Sequence, residues 1–168
     1  MNDEIVHRYC IWGHPVILKN NKRLHLNRRT GKMFITSSES VKDYEKHAVL
    51  QLRVQHRGRS ALTGPLNLCM TFFGAWSTTG RLPDMSNLYQ APEDLLQKAG
   101  VIEDDRQVVS HNGSQRVALC DGDCPKRKSK RRCGMTRRCP YERVLIEITR
   151  GTYPEVSPDM YQEMPNRM

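Results

Sequence analysis

Along residues 5–12, IVHRYCIW, apolar and polar positions alternate loosely and predict a first strand, which the His14-Pro15 pair ends or bends. A polar, basic loop at 19–23 follows, and residues 23–26 and 32–35 flank 27–31 as a hairpin with Gly31 at its turn. Val41, Tyr44, Ala48 and Leu52 then recur at helical spacing, capped by Ser38 or Ser40 and running out near Gly58. Gly64-Pro65 punctuates the chain before the apolar run 66–73, which suits a buried strand. In a second helix Leu88, Pro92, Leu95 and Ala99 share one face, with Ser86 or Asn87 as N-cap and Gly100 just past the end. Pro92 should kink or restart it, because proline removes a backbone donor and crowds the carbonyl four residues earlier. Asn87, Gln90 and Asp94 fall together on a flank of that helix. Residues 106–119 read as the strand partner of 144–149, with the cysteine-rich stretch as the tip of that hairpin.

These elements predict a small α/β (α+β) fold, a mixed sheet with two main helices, over residues 1–150 with a cysteine-rich basic insert at 120–140. Residues 151–168 carry Pro154, Pro158 and Pro165 with few core formers and read as a flexible C-terminal tail. At 168 residues, one core is the expectation. No apolar run approaches the roughly 20 residues of a spanning helix, and the start MNDE lacks signal-peptide character. The expectation is a cytoplasmic protein with no membrane partner.

Charge adds a constraint that the periodicity does not. The formal net charge is +9, which favours a polyanionic partner. Residues 120–140 hold Lys126, Arg127, Lys128, Lys130, Arg131, Arg132, Arg137 and Arg138 against Asp121 and Asp123, and so supply most of it. Against that background, acids gather around the second helix: Asp84, Asp94, Asp104 and Asp105. If strand, helix and returning strand pack as read, they converge on a site for Mg²⁺, a hard cation that takes oxygen ligands. A positive surface holding a nucleic-acid backbone and a negative pocket holding metal together describe a nuclease. The same spacing also suits a turn, a solvated helix residue and a surface loop.

The runs Asp84-Met85-Ser86-Asn87-Leu88, Asp94-Leu95-Leu96-Gln97-Lys98-Ala99-Gly100-Val101 and Asp104-Asp105-Arg106-Gln107-Val108 resemble the RusA family of Holliday-junction resolvases. That family carries Asp-x-Asp-Asn-Leu, a helix with Asp-Ala-Leu, an Ala-Gly turn and a closing Asp-Asp-x-Gln-Val. The resemblance implies a homodimeric, Mg²⁺-dependent endodeoxyribonuclease that makes paired nicks in four-way DNA junctions, with no small-molecule cofactor. Asp84 matches the first metal carboxylate and Asp105 the last, with Asp104 beside it and Asp94 on the helix. Two positions depart: Ser86 stands where the family usually has its second metal aspartate, and Gln90 where many members have a catalytic lysine. Serine is a weak neutral ligand, and glutamine orients water without supplying positive charge.

Cys120, Cys124, Cys133 and Cys139 could close a tetrahedral structural Zn²⁺ site and turn the basic insert into a shaped clamp on the DNA backbone. A flexible basic loop with reduced thiols is the plain alternative. His111 is a possible substitute ligand, although a lone histidine is more often a polar surface or core residue; Cys10 and Cys69 fall in strand patterns and should be buried. Lys19, Lys22 and Arg23 match the family's amino-terminal basic loop and should join the basic insert in DNA binding. Of Phe72, Phe73 and Trp76, Phe72 belongs in the core, and Trp76 is the candidate for exposure and stacking on unpaired bases. The rival to the nuclease is a catalytically impaired, zinc-stabilised protein that binds branched or single-stranded DNA, and an RNA partner is a weaker third reading.

Overall fold

The computed structural model describes residues 5–17, 22–26, 28–76, 82–119, 127–129, 132–133 and 141–153. Strand β1 (Ile5–Trp12) is followed by a hairpin of β2 (Lys22–Leu26) and β3 (Met33–Ser37), then helix α1 (Glu39–Gln55). Strand β4 (Leu66–Gly74) and helix α2 (Met85–Ala99) come next. One turn of 3-10 helix (Asp105–Gln107) then leads into β5 (Val108–Ser110) and β6 (Gln115–Ala118). The short β7 (Arg127–Ser129) and β8 (Arg132–Cys133) pair with each other, and β9 (Arg143–Arg150) closes the described chain. No described helix is long and apolar enough to cross a membrane.

The fold is α+β: a mixed sheet of five strands in the order β1, β9, β4, β5, with β6 also on β4, and two helices. Here one sequence expectation fails. Residues 108–118 do not pair with β9; β5 and β6 run parallel to β4, with Leu66 opposite Val108 and Thr71 opposite Gln115. A parallel partner needs a crossover, and α2 supplies it between β4 and β5. The last strand inserts between β1 and β4, antiparallel to both, so the cysteine-rich stretch connects an edge strand back to the sheet interior and is not a hairpin tip.

Alternation along the strands decides which face is covered. Tyr9, Ile11, Leu66, Leu68, Met70, Phe72, Val144, Ile146 and Ile148 are buried with Tyr44, Ala48 and Leu52 of α1 and Leu88, Leu95 and Leu96 of α2. On α1 the buried set is Val41, Tyr44, Ala48 and Leu52, as their spacing predicts. α2 runs unbroken through Pro92, without the restart expected there. The ring is buried on the core side beside Ala91, and this burial offsets the lost backbone bond. The helix starts earlier than predicted, with Asp84 as N-cap in place of Ser86 or Asn87, and ends at Gly100, whose φ of 76° is the left-handed conformation glycine adopts freely.

The outer edge of β1 is closed by side chains. Gln55 Oε1 accepts from the Cys10 amide and its Nε2 donates to the Cys10 carbonyl, each at 2.8 Å. One turn earlier, Gln51 treats Trp12 the same way, at 2.8 and 3.2 Å. Two amides from α1 thus occupy the backbone groups that an added strand would need.

Candidate active site

Asp84 sits where the chain enters α2. Its backbone is extended, with φ −67° and ψ 139°, and its carboxylate makes no capping bond to the helix. The side chain is exposed, and the contact it accepts is a long one of 3.4 Å from Asn87 Nδ2. Ser86, also exposed, lies in the first turn beside it. The entry is pinned from β6, where Arg116 donates through Nη1 to the Pro83 carbonyl. A guanidinium therefore lies against the residue preceding Asp84, with no ion pair drawn from Asp84 itself among the described residues.

The four aspartates do not converge as expected. With about 1.5 Å of rise per residue, the ten residues from Asp84 to Asp94 amount to about 15 Å along the helix, farther than two aspartates can span around one ion. Asp94 is half-buried midway along α2, and its carboxyl is raised, first by burial. Lys98 opposes that shift, while the negative charges of Asp105, Glu45 and Glu93 add to it. Asp94 and Asp105 are thus electrostatic neighbours. Among the described residues no group of three or more His, Cys, Asp or Glu side chains is placed to hold a metal ion together.

Asp104 is engaged in structure. Its Oδ1 accepts from the Arg106 amide at 2.9 Å, its carboxylate takes a bidentate bond from the Arg106 guanidinium at 2.9 and 2.7 Å, and Gln107 Oε1 accepts from its own amide at 3.0 Å. Those bonds hold its carboxyl well below the usual range, the Arg106 side chain foremost. The spacing Asp104-x-x-Gln107 is a reciprocal cap readable from sequence. Its consequence is to present Asp105 exposed at the first position of the turn. Gln107 Nε2 also donates to the Leu62 and Gly64 carbonyls at 3.1 and 3.3 Å, tying this turn to the start of β4.

Between β5 and β6 the chain bulges away from β4, and side chains repair the ladder there. Ser114 Oγ accepts from the Met70 amide at 2.9 Å and donates to the Leu68 carbonyl at 3.3 Å. Asn67 Oδ1 accepts from Ser110 Oγ at 2.6 Å and the Asn112 amide at 3.0 Å. The bulge carries His111 onto α2, where its ring stacks on Tyr89 with centroids 4.2 Å apart and planes 1° from parallel, and its Nε2 bonds the Glu93 carboxylate. His111 is therefore occupied in docking α2. Sequence inspection offers no local signal for this contact or for Arg116, since both depend on the parallel placement of β6.

Trp76 is not the exposed aromatic expected. It is half-buried, packs against the core, and leaves no room for a side chain at Gly74. Phe72 is buried as predicted, and the exposed rings among the described residues include Trp12 at 55% and Tyr153 at 63%. The Arg143 guanidinium lies 5.5 Å from the Trp12 centroid and 4.0 Å from that of Phe73. Cys10 and Cys69 are half-buried thiols, both pushed up chiefly by burial. Lys19, Cys120, Cys124, Lys126, Lys130, Arg131 and Cys139 lie outside the described residues, as does residue 154 onward. Lys22 and Arg23 fall on β2, Arg127 and Lys128 on β7, and Arg132 and Cys133 on β8, with side chains outside the described set.

None of the curated proteins compared with the chain matches it. A family model described as endodeoxyribonuclease RusA matches residues 14–122, a span that contains α1, β4, α2, the capped Asp104-Asp105 turn and Arg116. With well over half of its 168 residues inside that match, the chain belongs to the RusA endodeoxyribonuclease family.

Proposed function

We propose that this protein is a Mg²⁺-dependent endonuclease that cuts branched DNA, four-way junctions above all, as a homodimer making paired nicks. The observation that carries this reading is the pair of exposed carboxylates, Asp84 at the mouth of α2 and Asp105 at the capped turn, neither in an ion pair among the described residues. Free carboxylate oxygens suit Mg²⁺, which usually takes only one or two protein carboxylates and fills its shell with water and phosphate. Asp84 and Asp105 stand at opposite ends of α2 and would not share one ion within a single chain; each would be a candidate ligand for its own ion, which when bound would polarise the scissile phosphate and acidify the attacking water.

The chain's own groups supply the rest. The amino-terminal end of α2 is the positive end of the helix dipole and favours a phosphate there. Arg116 brings positive charge to the same entry, which the uncharged Gln90 does not. Paired cuts need two sites related by a two-fold axis, which a homodimer provides. The four thiols at Cys120, Cys124, Cys133 and Cys139 fit Zn²⁺ by their chemistry and would shape the basic insert into a backbone clamp.

A second reading, junction binding without cleavage, is favoured by the neutral Ser86 and Gln90 beside Asp84. Incubating a synthetic four-way junction and a linear duplex with Mg²⁺ decides between them. Paired nicks on the junction that vanish in Asp84→Asn and Asp105→Asn support the nuclease. Tight junction binding with no cutting would leave a binding protein.

A further inference from the structure

We propose that the outer face of α1, together with the last turn of α2, is a second track for the DNA phosphodiester backbone, a reading that rests on the DNA-directed function above. Lys42, Lys46, Leu50 and Arg53 follow one another at helical spacing along α1, and with Lys98 of α2 they line an open groove of about 600 Å³.

The groove is cationic. Lys42, Lys46, Arg53 and Lys98 face it against the one carboxylate of Glu45, which is paired with Lys98. Lys42 and Lys46 are exposed and form no ion pair among the described residues, so their charge is not spent within the chain. Arg53 is held at the helix junction by donating Nη2 to the Lys98 carbonyl at 3.1 Å, which leaves its other donors available. Glu39 and Asp43 are the other acids on α1 near this end, and neither lines the groove.

The dimensions suit a nucleic-acid strand. From Lys42 to Arg53 the helix rises about 16 Å, the axial length of roughly five phosphates of one duplex strand at 3.4 Å each. The stripe is interrupted at its centre by Val49 and by Leu50, which is 61% exposed. An apolar floor between cations fits a backbone in which deoxyribose alternates with phosphate. The track also leads toward the acids: Lys98 lies one helical turn beyond Asp94, whose carboxyl registers the charges of Lys98, Glu45 and Asp105. An arm of DNA lying here would enter the neighbourhood of the Asp105 turn from α1, a route separate from the basic insert.

The test is equilibrium binding of a fluorescein-labelled four-way junction and a linear duplex to the full chain in EDTA across a salt series. Lys42→Glu with Lys46→Glu is compared with the neutral Lys42→Gln, Lys46→Gln pair. Losing two phosphate contacts should flatten the slope of log K against log salt by about 1.8 and weaken binding roughly 30-fold near 0.15 M salt. Both substitutions are at exposed side chains, and an unchanged melting temperature confirms that folding is intact. Unchanged affinity and slope in both pairs would overturn the proposal, as would failure of the unaltered chain to bind either DNA. Binding of polyglutamate lost in the variants while DNA binding persists would overturn it in favour of an acidic protein partner. Cleavage is scored separately with Mg²⁺, so loss of the nuclease reading and loss of the track are distinguishable.

Discussion

Replacing His111 with alanine tests how α2 is held over the sheet. The side chain contributes a parallel stack on Tyr89 and a bond to the Glu93 carboxylate, with His111 28% and Glu93 18% exposed. An aromatic pair of this kind contributes about 0.5–1.5 kcal/mol beyond its area. A hydrogen bond to a charged group contributes about 1.5–3 kcal/mol, most of it felt here as a largely buried carboxylate left without its partner. The sum is about 2–4 kcal/mol, or roughly 5–15 °C in melting temperature for a chain of this length. The assay is urea unfolding of the unaltered chain, His111→Ala, Glu93→Gln and the double variant. Because an unpaired amide is less costly to bury than an unpaired carboxylate, Glu93→Gln should restore part of the stability lost in His111→Ala, a coupling that the cycle isolates. A loss below about 1 kcal/mol for His111→Ala, or strict additivity of the two changes, would show that the stack and the bond do not hold α2.

Two further outcomes follow from the geometry. Asp94 has a raised folded-state carboxyl, so its ionisation opposes folding. That penalty is absent below the unfolded value of 3.8 and grows as pH rises through it toward the higher folded value. Metal-free Asp94→Asn should therefore melt higher than the unaltered chain at pH 7 and with it at pH 3, and a lower melting point at pH 7 would contradict the assignment. Removing both Gln51 and Gln55 uncovers the Cys10 and Trp12 backbone groups on β1. The alanine pair should lose about 1–2 kcal/mol and form larger, concentration-dependent species by edge pairing in analytical ultracentrifugation, whereas an unchanged sedimentation profile would show that the edge needs no cover.

The local elements are legible because they are decided locally. Period-two alternation places β1, a helical stripe places Val41, Tyr44, Ala48 and Leu52 inward, and Gly100 ends α2. The carboxylates at Asp84 and Asp105 and the two departures at Ser86 and Gln90 are likewise readable from the chain and its family resemblance. Two features around the site are legible at that level as well: ten residues of helix separate Asp84 from Asp94, and Asp104 with Gln107 has the spacing of a cap.

Strand partnership is a different matter, because a strand's own pattern says which face is buried and nothing about which neighbour supplies its hydrogen bonds. Only the packed sheet places β9 between β1 and β4, sets β5 and β6 parallel to β4, and so brings Arg116 to the mouth of α2 and His111 onto Tyr89 and Glu93. The elements, the inward faces and the acidic residues follow from the order of residues alone. The tertiary structure decided which of those acids stay free and which cations stand near them, since both depend on contacts between residues far apart in the chain.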